Sequence, residues 1–412
     1  MKLRVAAVLA LALASRAHAQ SSYLFAWSGD ADRKASDYLA VIDADPASKT
    51  YGKLVTTLAV GAVGTMPHHT EYEFPADGIL LAIGWAASRT FVFDLRTPTA
   101  PKLLNSFSSV GAYSFPHSLA RLPNGHLLGT FQGAGHAYAP PGGLVELDSH
   151  GALVRSTSAA GAGLPDTATW PYSLAVDAKH NRVITTNTTM PIPKWLEAPA
   201  GSWKKDRVDS IHTNQIQLWE LSTLRLLSTI SLPRPAGAKG KYAANDFAAE
   251  PRLLPDGSMY VNTFMCGLFH VTDIDKPIPR IRQVYEFPRS PDMYCAVPVV
   301  IGHFWIQPAA GMGGLVALDI ANPEKPVEVS RLVLGKQFPM AHWLGGDAKR
   351  SRVVVTGDDM GYVAIVNVDP VSGKLSLDTR FRDERTGAVG VSLDGRGKIK
   401  RSFVHGTLFG PR

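Results

Sequence analysis

The chain has 412 residues, of which 45% are hydrophobic, so it exceeds one small core and we expect either several domains or one large repetitive domain. Its 37 glycines and 29 prolines, set among many runs of Val, Thr, Tyr and Phe, favour an all-β protein with many turns over a helical one. The formal net charge of +7 is spread along the chain, which argues against a nucleic-acid partner.

The first 19 residues have the pattern of a secretory signal peptide. Lys2 and Arg4 precede an apolar run at residues 5–14, and a small-residue cleavage site follows at 17–19. The apolar run is too short to span a membrane, so we expect cleavage before Gln20 and export to the periplasm or the medium, without a membrane anchor. Removal of this segment takes away three positive charges and lowers the net charge from +7 to +4.

The remainder of the sequence contains an internal repeat. Seven apolar runs with similar endings are each followed by a turn and another apolar run, and hairpin signals such as Asn124-Gly125 and Asp256-Gly257 precede several of them. Repeats of about 40–50 residues with four strands each are typical of a β-propeller. The seven runs are residues 39–43, 91–94, 144–148, 216–220, 269–273, 315–319 and 364–367.

Six of the repeats contain four strands each, and the seventh is divided between the two ends of the chain. Residues 23–27, 37–43 and 53–60 provide three strands, and residues 402–409 provide the innermost one. Pairing of the two ends leaves no free sheet edge. The sequence therefore predicts one domain, residues 20–412, folded as an all-β seven-bladed propeller that is closed by its C-terminal strand.

Histidines recur where innermost strands begin: the pair His68-His69, then His117, His342 and His405. Because innermost strands converge on the central channel, we expect these histidines to surround one mouth of it. Imidazole nitrogens suit Cu, Fe, Zn or Ni, so we predict a metal site, with a hydrogen-bonded polar channel containing ordered water as the alternative. Either His68 or His69 can point inward, and a β-bulge can bring both near.

Two carboxylates, Glu71 and Glu250, are the candidate catalytic partners of the histidines. A carboxylate beside a metal ligand orients the imidazole by accepting its second N–H. The structural alternative is an ion pair between strands, with Arg121 or Arg252 as the partner.

Cys266 and Cys295 are the two cysteines of the chain. Both are predicted on the histidine face of adjacent blades, where a disulfide is geometrically reasonable. In an exported protein two cysteines either pair or stay buried and inert. A metal-ligating role is less favoured, because the pair lies to one side of the histidines.

Several stretches resemble the selenium-binding protein / methanethiol oxidase family. They are residues 37–46, the pair His68-His69, residues 90–103, Pro116-His117-Ser118, residues 250–253, residues 319–326 and His405. The resemblance implies a seven-bladed propeller and, for the methanethiol oxidases, copper and the conversion of methanethiol and oxygen to formaldehyde, hydrogen sulfide and hydrogen peroxide. The family's paired cysteines after the double histidine are absent here, which argues against a thiol-based selenium site.

We therefore compare three functional hypotheses. The first is an exported copper oxidase of a small thiol, whose metal is held by His68 or His69 together with His117, His342 and His405. The second is a non-catalytic propeller that uses the same face to bind a metal, a small ligand or a partner. The third is a metal-dependent lactonase or esterase, because propellers also host that chemistry.

Overall fold

The computed structural model describes residues 22–161, 169–188, 214–238, 242–288, 294–335, 338, 340–357 and 360–411. The expected signal peptide, residues 1–19, lies outside this part of the chain. Within it, helical structure is confined to two short 3-10 turns, Ala310–Met312 and Ala348–Arg350. None of the helical segments found there has the length and apolar character needed to cross a bilayer.

The strands form seven antiparallel sheets arranged as the blades of a propeller, as the repeat predicts. Blade 1 contains β29-β1-β2-β3, blades 2 to 6 contain consecutive sets of four from β4 to β23, and blade 7 contains β24-β25-β26-β27 with β28 paired to β26. The strand bounds are β1 Ser22–Asp30, β2 Tyr38–Asp43, β3 Leu54–Ala59, β4 Pro67–Thr70, β5 Ile79–Gly84, β6 Arg89–Asp94, β7 Lys102–Phe107, β8 Tyr113–Arg121, β9 Leu127–Ala134, β10 Gly143–Leu147, β11 Leu153–Ser158, β12 Pro171–Asp177, β13 Arg182–Asn187, β14 Gln215–Glu220, β15 Arg225–Ser231, β16 Ala248–Leu253, β17 Met259–Thr263, β18 Gly267–Thr272, β19 Arg280–Glu286, β20 Val299–Ile301, β21 Phe304–Ala309, β22 Gly314–Asp319, β23 Val327–Val333, β24 Ala341–Asp347, β25 Arg352–Gly357, β26 Tyr362–Val368, β27 Leu375–Leu377, β28 Val391–Ser392 and β29 Ser402–Pro411.

Burial along the strands explains the sequence pattern of each blade. The middle strands lie between neighbouring blades, so both of their faces are buried, as in β5 and β25. Their sequences are accordingly rich in consecutive apolar residues. The outermost strands β3 and β23 alternate between half-buried and exposed positions. The hairpin turns have the expected geometry, since Gly125 and Gly257 adopt φ values of 85° and 86°, which a side chain would make unfavourable.

The ring is closed by pairing between the two ends of the chain. Strand β29 pairs antiparallel with β1, with Phe409 opposite Leu24 and Phe403 opposite Gly29. It also contacts β4 of blade 2 and β24 of blade 7. The predicted split blade is therefore confirmed, and the C-terminal strand lies in the innermost ring.

The structure joins Cys266 and Cys295 in a disulfide between blades 5 and 6, with a Cα–Cα distance of 5.0 Å. Both cysteines are fully buried. The bond closes a loop with a sequence separation of 29 residues. Without a crosslink of that size the unfolded chain has more conformational entropy, which lowers its free energy by about 3–4 kcal/mol at room temperature.

Replacing both cysteines with alanine is expected to lower the free energy of unfolding by about 3–4 kcal/mol. Denaturant unfolding of the oxidised wild type, the reduced wild type and the double variant measures the effect. The reduced wild type should lose most of the same stability. An unchanged midpoint in both samples would show that the crosslink does not constrain the unfolded chain.

Candidate metal centre

The innermost strands of six blades are interrupted by a β-bulge, and in blade 6 an isolated bridge between Cys295 and Ala309 precedes β20. In six blades the residue that pairs with the second strand just before the interruption is Pro67, Pro116, Pro171, Ala248, Cys295 or Ala341, and in blade 1 it is Val404. The ladder shifts register immediately afterwards, and such a shift re-aims the side chains that follow. We call the next two residues the first and second bulge positions. The first holds His68, His117, Tyr172, Ala249, Ala296, His342 and His405, and the second holds His69, Ser118, Ser173, Glu250, Val297, Trp343 and Gly406.

The local sequence favours this irregularity. Met66 and Phe115 have positive φ values of 59° and 56°, an uncommon conformation for large side chains. Each is followed by a proline, which cannot donate a hydrogen bond to the ladder. Regular pairing is thus weakened just where His68 and His117 must turn toward the channel.

The bulges bring the five predicted histidines into one buried cluster. The ring centroids of His68 lie 4.5 Å from His69, 4.7 Å from His117 and 4.1 Å from His405. The His342 ring lies 4.4 Å from that of His405. All five side chains are between 0% and 5% exposed. We call His68, His69, His117, His342 and His405 the five-histidine cluster.

Three members of the cluster have the separation needed to hold one ion. One ring nitrogen each of His68, His69 and His117 lies within 4.8 Å of the others, and the Nε2 atoms of His68 and His117 are 2.9 Å apart. The Ser118 hydroxyl lies 2.9 Å from Nδ1 of His69 and 3.1 Å from Nδ1 of His117. A partner on Nδ1 leaves Nε2 as the second nitrogen donor of each of these two rings.

Four imidazoles of the cluster are held in their neutral form. Burial, together with the neighbouring imidazoles, holds the pKa of His68, His69, His117 and His405 well below the ordinary histidine range. Neutral imidazole is the form that ligates a metal. Nδ1 of His68 and Nε2 of His69 make no hydrogen bond with the part of the chain that the structure describes. Buried polar atoms normally have a partner, so these donor atoms fit a bound cation.

Comparisons with known proteins give the same family as the sequence resemblance. The family model of the 56kDa selenium binding protein (SBP56) matches residues 10–239, more than half of the 412 residues. The chain belongs to the SBP56 family.

Curated members of the SBP56 family share limited identity with the chain. It is 37% identical over 120 residues to a methanethiol oxidase of Hyphomicrobium sp, covering 26% of each protein. It is 27% identical over 211 residues to a methanethiol oxidase of Xenopus laevis, covering 48% of the chain and 43% of the relative. The chain thus spans less than half the length of the curated relatives that it matches.

Solved structures support the fold of this SBP56 member. A hypothetical selenium-binding protein from Sulfolobus tokodaii superimposes with a TM-score of 0.70 at 16% identity, covering 94% of this chain and 93% of that one. A periplasmic gluconolactonase from Pseudomonas aeruginosa gives 0.59 at 10% identity, covering 87% and 95%. At such identities the likeness concerns the propeller alone.

The two predicted carboxylates of this SBP56 chain have different surroundings. Glu71 forms a bidentate ion pair with Arg121, at 2.8 Å for both contacts, which is the structural alternative that the sequence allows. Glu250 accepts hydrogen bonds on Oε2 from Tyr72 at 2.8 Å, Ser173 at 2.6 Å and Arg252 at 2.9 Å. Its other oxygen, Oε1, has no hydrogen-bond partner among the described residues.

Glu250 approaches the histidines through intermediates that sequence reasoning missed. The Tyr72 hydroxyl lies 3.5 Å from Ser118 Oγ, and its ring stacks on Trp343 at 5.2 Å with 4° between the planes. The Trp343 ring in turn lies 4.9 Å from His69. Ser118 and Trp343 occupy the same second bulge position as His69 and Glu250. An alignment of the repeats at their bulges would therefore have identified Ser118 and Trp343 as candidate site residues.

Gly406 holds the second bulge position of blade 1 for a steric reason. A Cβ added there would lie 2.6 Å from the Thr70 nitrogen and 2.7 Å from the His68 carbonyl oxygen, too close for any side chain. Because glycine has no Cβ, β4 can approach β29 closely, and this brings His68 against His405. The bulge register makes His68, rather than His69, the equivalent of His117.

Proposed function

We propose that this SBP56 member is an exported, copper-dependent oxidase of a small thiol, similar to methanethiol oxidase. The observation that carries the proposal is the buried triad of His68, His69 and His117, which burial holds in the neutral form that ligates a metal. Two curated relatives bear the name methanethiol oxidase, and this supports the thiol as the substrate class.

The residues present fit a transition metal and suit copper. Three imidazoles supply nitrogen donors without a charged ligand, a set that copper, iron, nickel and zinc accept and that magnesium and calcium do not favour. The family resemblance adds the preference for copper. When bound, copper would supply the redox chemistry by which electrons pass from the thiol to oxygen.

The chain's own residues account for ligation and water exclusion. His68, His69 and His117 would hold the metal, and Ser118 fixes the orientation of two of their rings by its contacts to Nδ1. The cluster is at most 5% exposed, so bulk water is excluded and the electrostatic interactions around a bound substrate are strengthened.

His405 is the proposed proton acceptor. Its ring lies 4.1 Å from that of His68, and burial lowers its pKa so that it is neutral at pH 7. A neutral imidazole keeps a lone pair on one ring nitrogen, and His405 could use it to take the S–H hydrogen of a thiol as a general base.

Export of the protein is part of this proposal. The N-terminal pattern predicts a cleaved leader, and the disulfide Cys266–Cys295 is typical of proteins that fold in an oxidising compartment. The same disulfide occupies both cysteines of the chain, so no thiol remains to bind selenium.

A non-catalytic metal-binding propeller is the second candidate, because the same histidine cluster would equally serve to hold a metal without turnover. The lactonase hypothesis has only the likeness of fold in its support. Product formation separates the first two candidates.

Copper-loaded protein from the periplasm of a copper-supplied host is expected to convert methanethiol, oxygen and one water molecule to formaldehyde, hydrogen sulfide and hydrogen peroxide. His117→Ala should abolish all three products, because it removes a ligand and the neighbour of His68. His270→Ala is the matched control, since His270 is 3% exposed and lies on the third strand of blade 5, bonded to Ser258 at 2.8 Å. Stoichiometric copper without any product would favour the binding protein over the oxidase.

A further inference from the structure

The central channel contains a cavity beside the five-histidine cluster, toward the end where the innermost strands finish. Its lining comes from the innermost strands of blades 2 to 7 and residues that directly adjoin them. The cavity has a volume of about 470 Å³, within the range of about 300–1,000 Å³ that is usual for small-molecule sites. Arg121, which lines it, follows His117 by four residues on β8, about 13 Å of extended strand. The cavity and the cluster therefore occupy successive levels of one channel.

The wall of the cavity is largely apolar. Ala120, Val176, Val299 and Val300 line it and are half-buried, and Leu253, which also lines it, is 41% exposed. Solvent thus reaches apolar side chains inside the ring of blades. Displacement of loosely held water from such a wall by an apolar group is favourable, so the wall suits an apolar ligand.

The guanidinium groups of the lining are already balanced by carboxylates. Arg121 forms its bidentate ion pair with Glu71 at 2.8 Å, and Arg252 donates to Glu250 at 2.9 Å. Glu73 also lines the cavity and is exposed to solvent, where its carboxylate repels an anion. A charged ligand loses hydration on entry without gaining a new ion pair. The lining therefore favours uncharged molecules.

The Tyr72 side chain lies between the cavity and the histidines. Tyr72 lines the cavity and is half-buried, whereas His69, whose ring centroid is 6.1 Å from that of Tyr72, is fully buried. The Tyr72 ring stacks on Trp343 at 5.2 Å and lies 4.1 Å from the guanidinium carbon of Arg252. Its hydroxyl donates to Glu250 at 2.8 Å. These contacts hold the ring in place, so passage from the cavity to the histidines requires Tyr72 to move.

We propose that the cavity is the entry site of the substrate, that this substrate is an uncharged apolar thiol, and that Tyr72 is the barrier between the entry site and the histidines. The inference rests on the proposed thiol oxidation and adds to it a route and a selectivity. A volume of about 470 Å³ far exceeds the space that methanethiol fills, so the site also accepts larger uncharged thiols such as ethanethiol. The thiol enters in its S–H form, and no bond changes on the way.

Methyl NMR spectra of the metal-free protein, labelled in leucine and valine, test binding in the cavity. Ethanethiol is expected to shift the signals of Val176, Val300 and Leu253. Mercaptoethanesulfonate, a thiol with a permanent negative charge, should bind at least about tenfold more weakly, because its sulfonate must lose hydration. Cavity signals that ethanethiol leaves unshifted, or equal affinity for the two thiols, would overturn the proposal.

Ala120→Phe places a ring in the cavity and is expected to weaken ethanethiol binding by about tenfold or more, since a pocket responds to even one added methylene on this scale. Ala152→Phe is the matched control, because Ala152 is exposed just before β11 of the same blade. It should bind ethanethiol as the wild type does. Unchanged affinity in folded Ala120→Phe would overturn the assignment of the site, and the wild-type spectra decide it if this variant does not fold.

Modification by diethyl pyrocarbonate, an uncharged reagent for imidazole, tests the barrier in the metal-free protein. His69 and His117 are fully buried, and mass spectrometry of their peptides should show slow modification in the wild type. Tyr72→Ala should raise this rate by about tenfold or more, because the reaction no longer depends on rare opening of the structure. Tyr72→Phe keeps the ring and should react as the wild type does.

The double variant Tyr72→Ala, Ala120→Phe links the barrier to the cavity. Its histidines should react more slowly than those of Tyr72→Ala, because the added ring obstructs the path to them. Wild-type rates in Tyr72→Ala would refute the barrier, and equally fast modification in the double variant would refute the route through the cavity.

Failure of the entry route is distinguishable from failure of the proposed function, because these tests use protein without metal. Product formation by the copper-loaded protein without ethanethiol binding in the cavity would refute the entry route alone. Cavity binding and Tyr72-dependent modification in a protein that forms no product would support the site and its barrier while refuting the oxidase.

Discussion

Replacing His68, His69 and His117 together with alanine is expected to abolish metal binding by the protein. These residues provide the three ring nitrogens that lie within 4.8 Å of one another, and neutral imidazoles are the only strong transition-metal donors in this cluster. Elemental analysis of protein recovered from a copper-supplied periplasm should find one metal ion per chain in the wild type and none in the triple variant. His342→Ala with His405→Ala should retain metal at lower affinity, because these rings flank the triad.

His270→Ala provides the control for the triple variant. His270 is buried outside the five-histidine cluster, and its ring nitrogens contact Ser258 and Glu324. It should bind metal as the wild type does. Wild-type metal content in the triple variant would place the site elsewhere, and a wild type without stoichiometric metal would exclude the copper oxidase.

Deleting residues 402–412 is expected to abolish cooperative folding. The deletion removes β29, which pairs along its length with β1 and buries Val404, Leu408 and Phe409. Burial of each such side chain contributes about 1.5–3 kcal/mol, so the loss is comparable with the net stability of a typical domain, about 5–15 kcal/mol. Thermal unfolding followed by circular dichroism should show no sharp transition, and the exposed edge of β1 should promote aggregation.

A point variant and a peptide provide the controls for this deletion. Leu408→Ala keeps the strand and is expected to lower stability by about 2–5 kcal/mol while retaining a cooperative transition. A synthetic peptide of residues 402–411 added to the truncated chain should restore folding by re-forming the β1 pairing. A truncated chain with a normal thermal transition would show that the closure does not stabilise the propeller.

The sequence by itself determined the propeller. Each blade repeats apolar runs with polar outer positions, and three blades add an Asn-Gly or Asp-Gly hairpin, so the period can be read without knowledge of any contact. The division of one blade between the two ends of the chain followed from the count of strands there. The histidines were found for the same reason, because His117, His342 and His405 recur at one point of the repeat.

Only the tertiary structure decided how the site is arranged. A β-bulge changes the facing of every side chain that follows it, and the bulges made both His68 and His69 members of the cluster. The neighbouring strand decided whether the Glu71 carboxylate would bond to a histidine or form an ion pair with Arg121, and it forms the ion pair. The contacts of Ser118 with His69, and of Tyr72 with Glu250, join residues 49 and 178 positions apart. Such contacts depend on how the blades pack around the channel, which local sequence patterns do not encode.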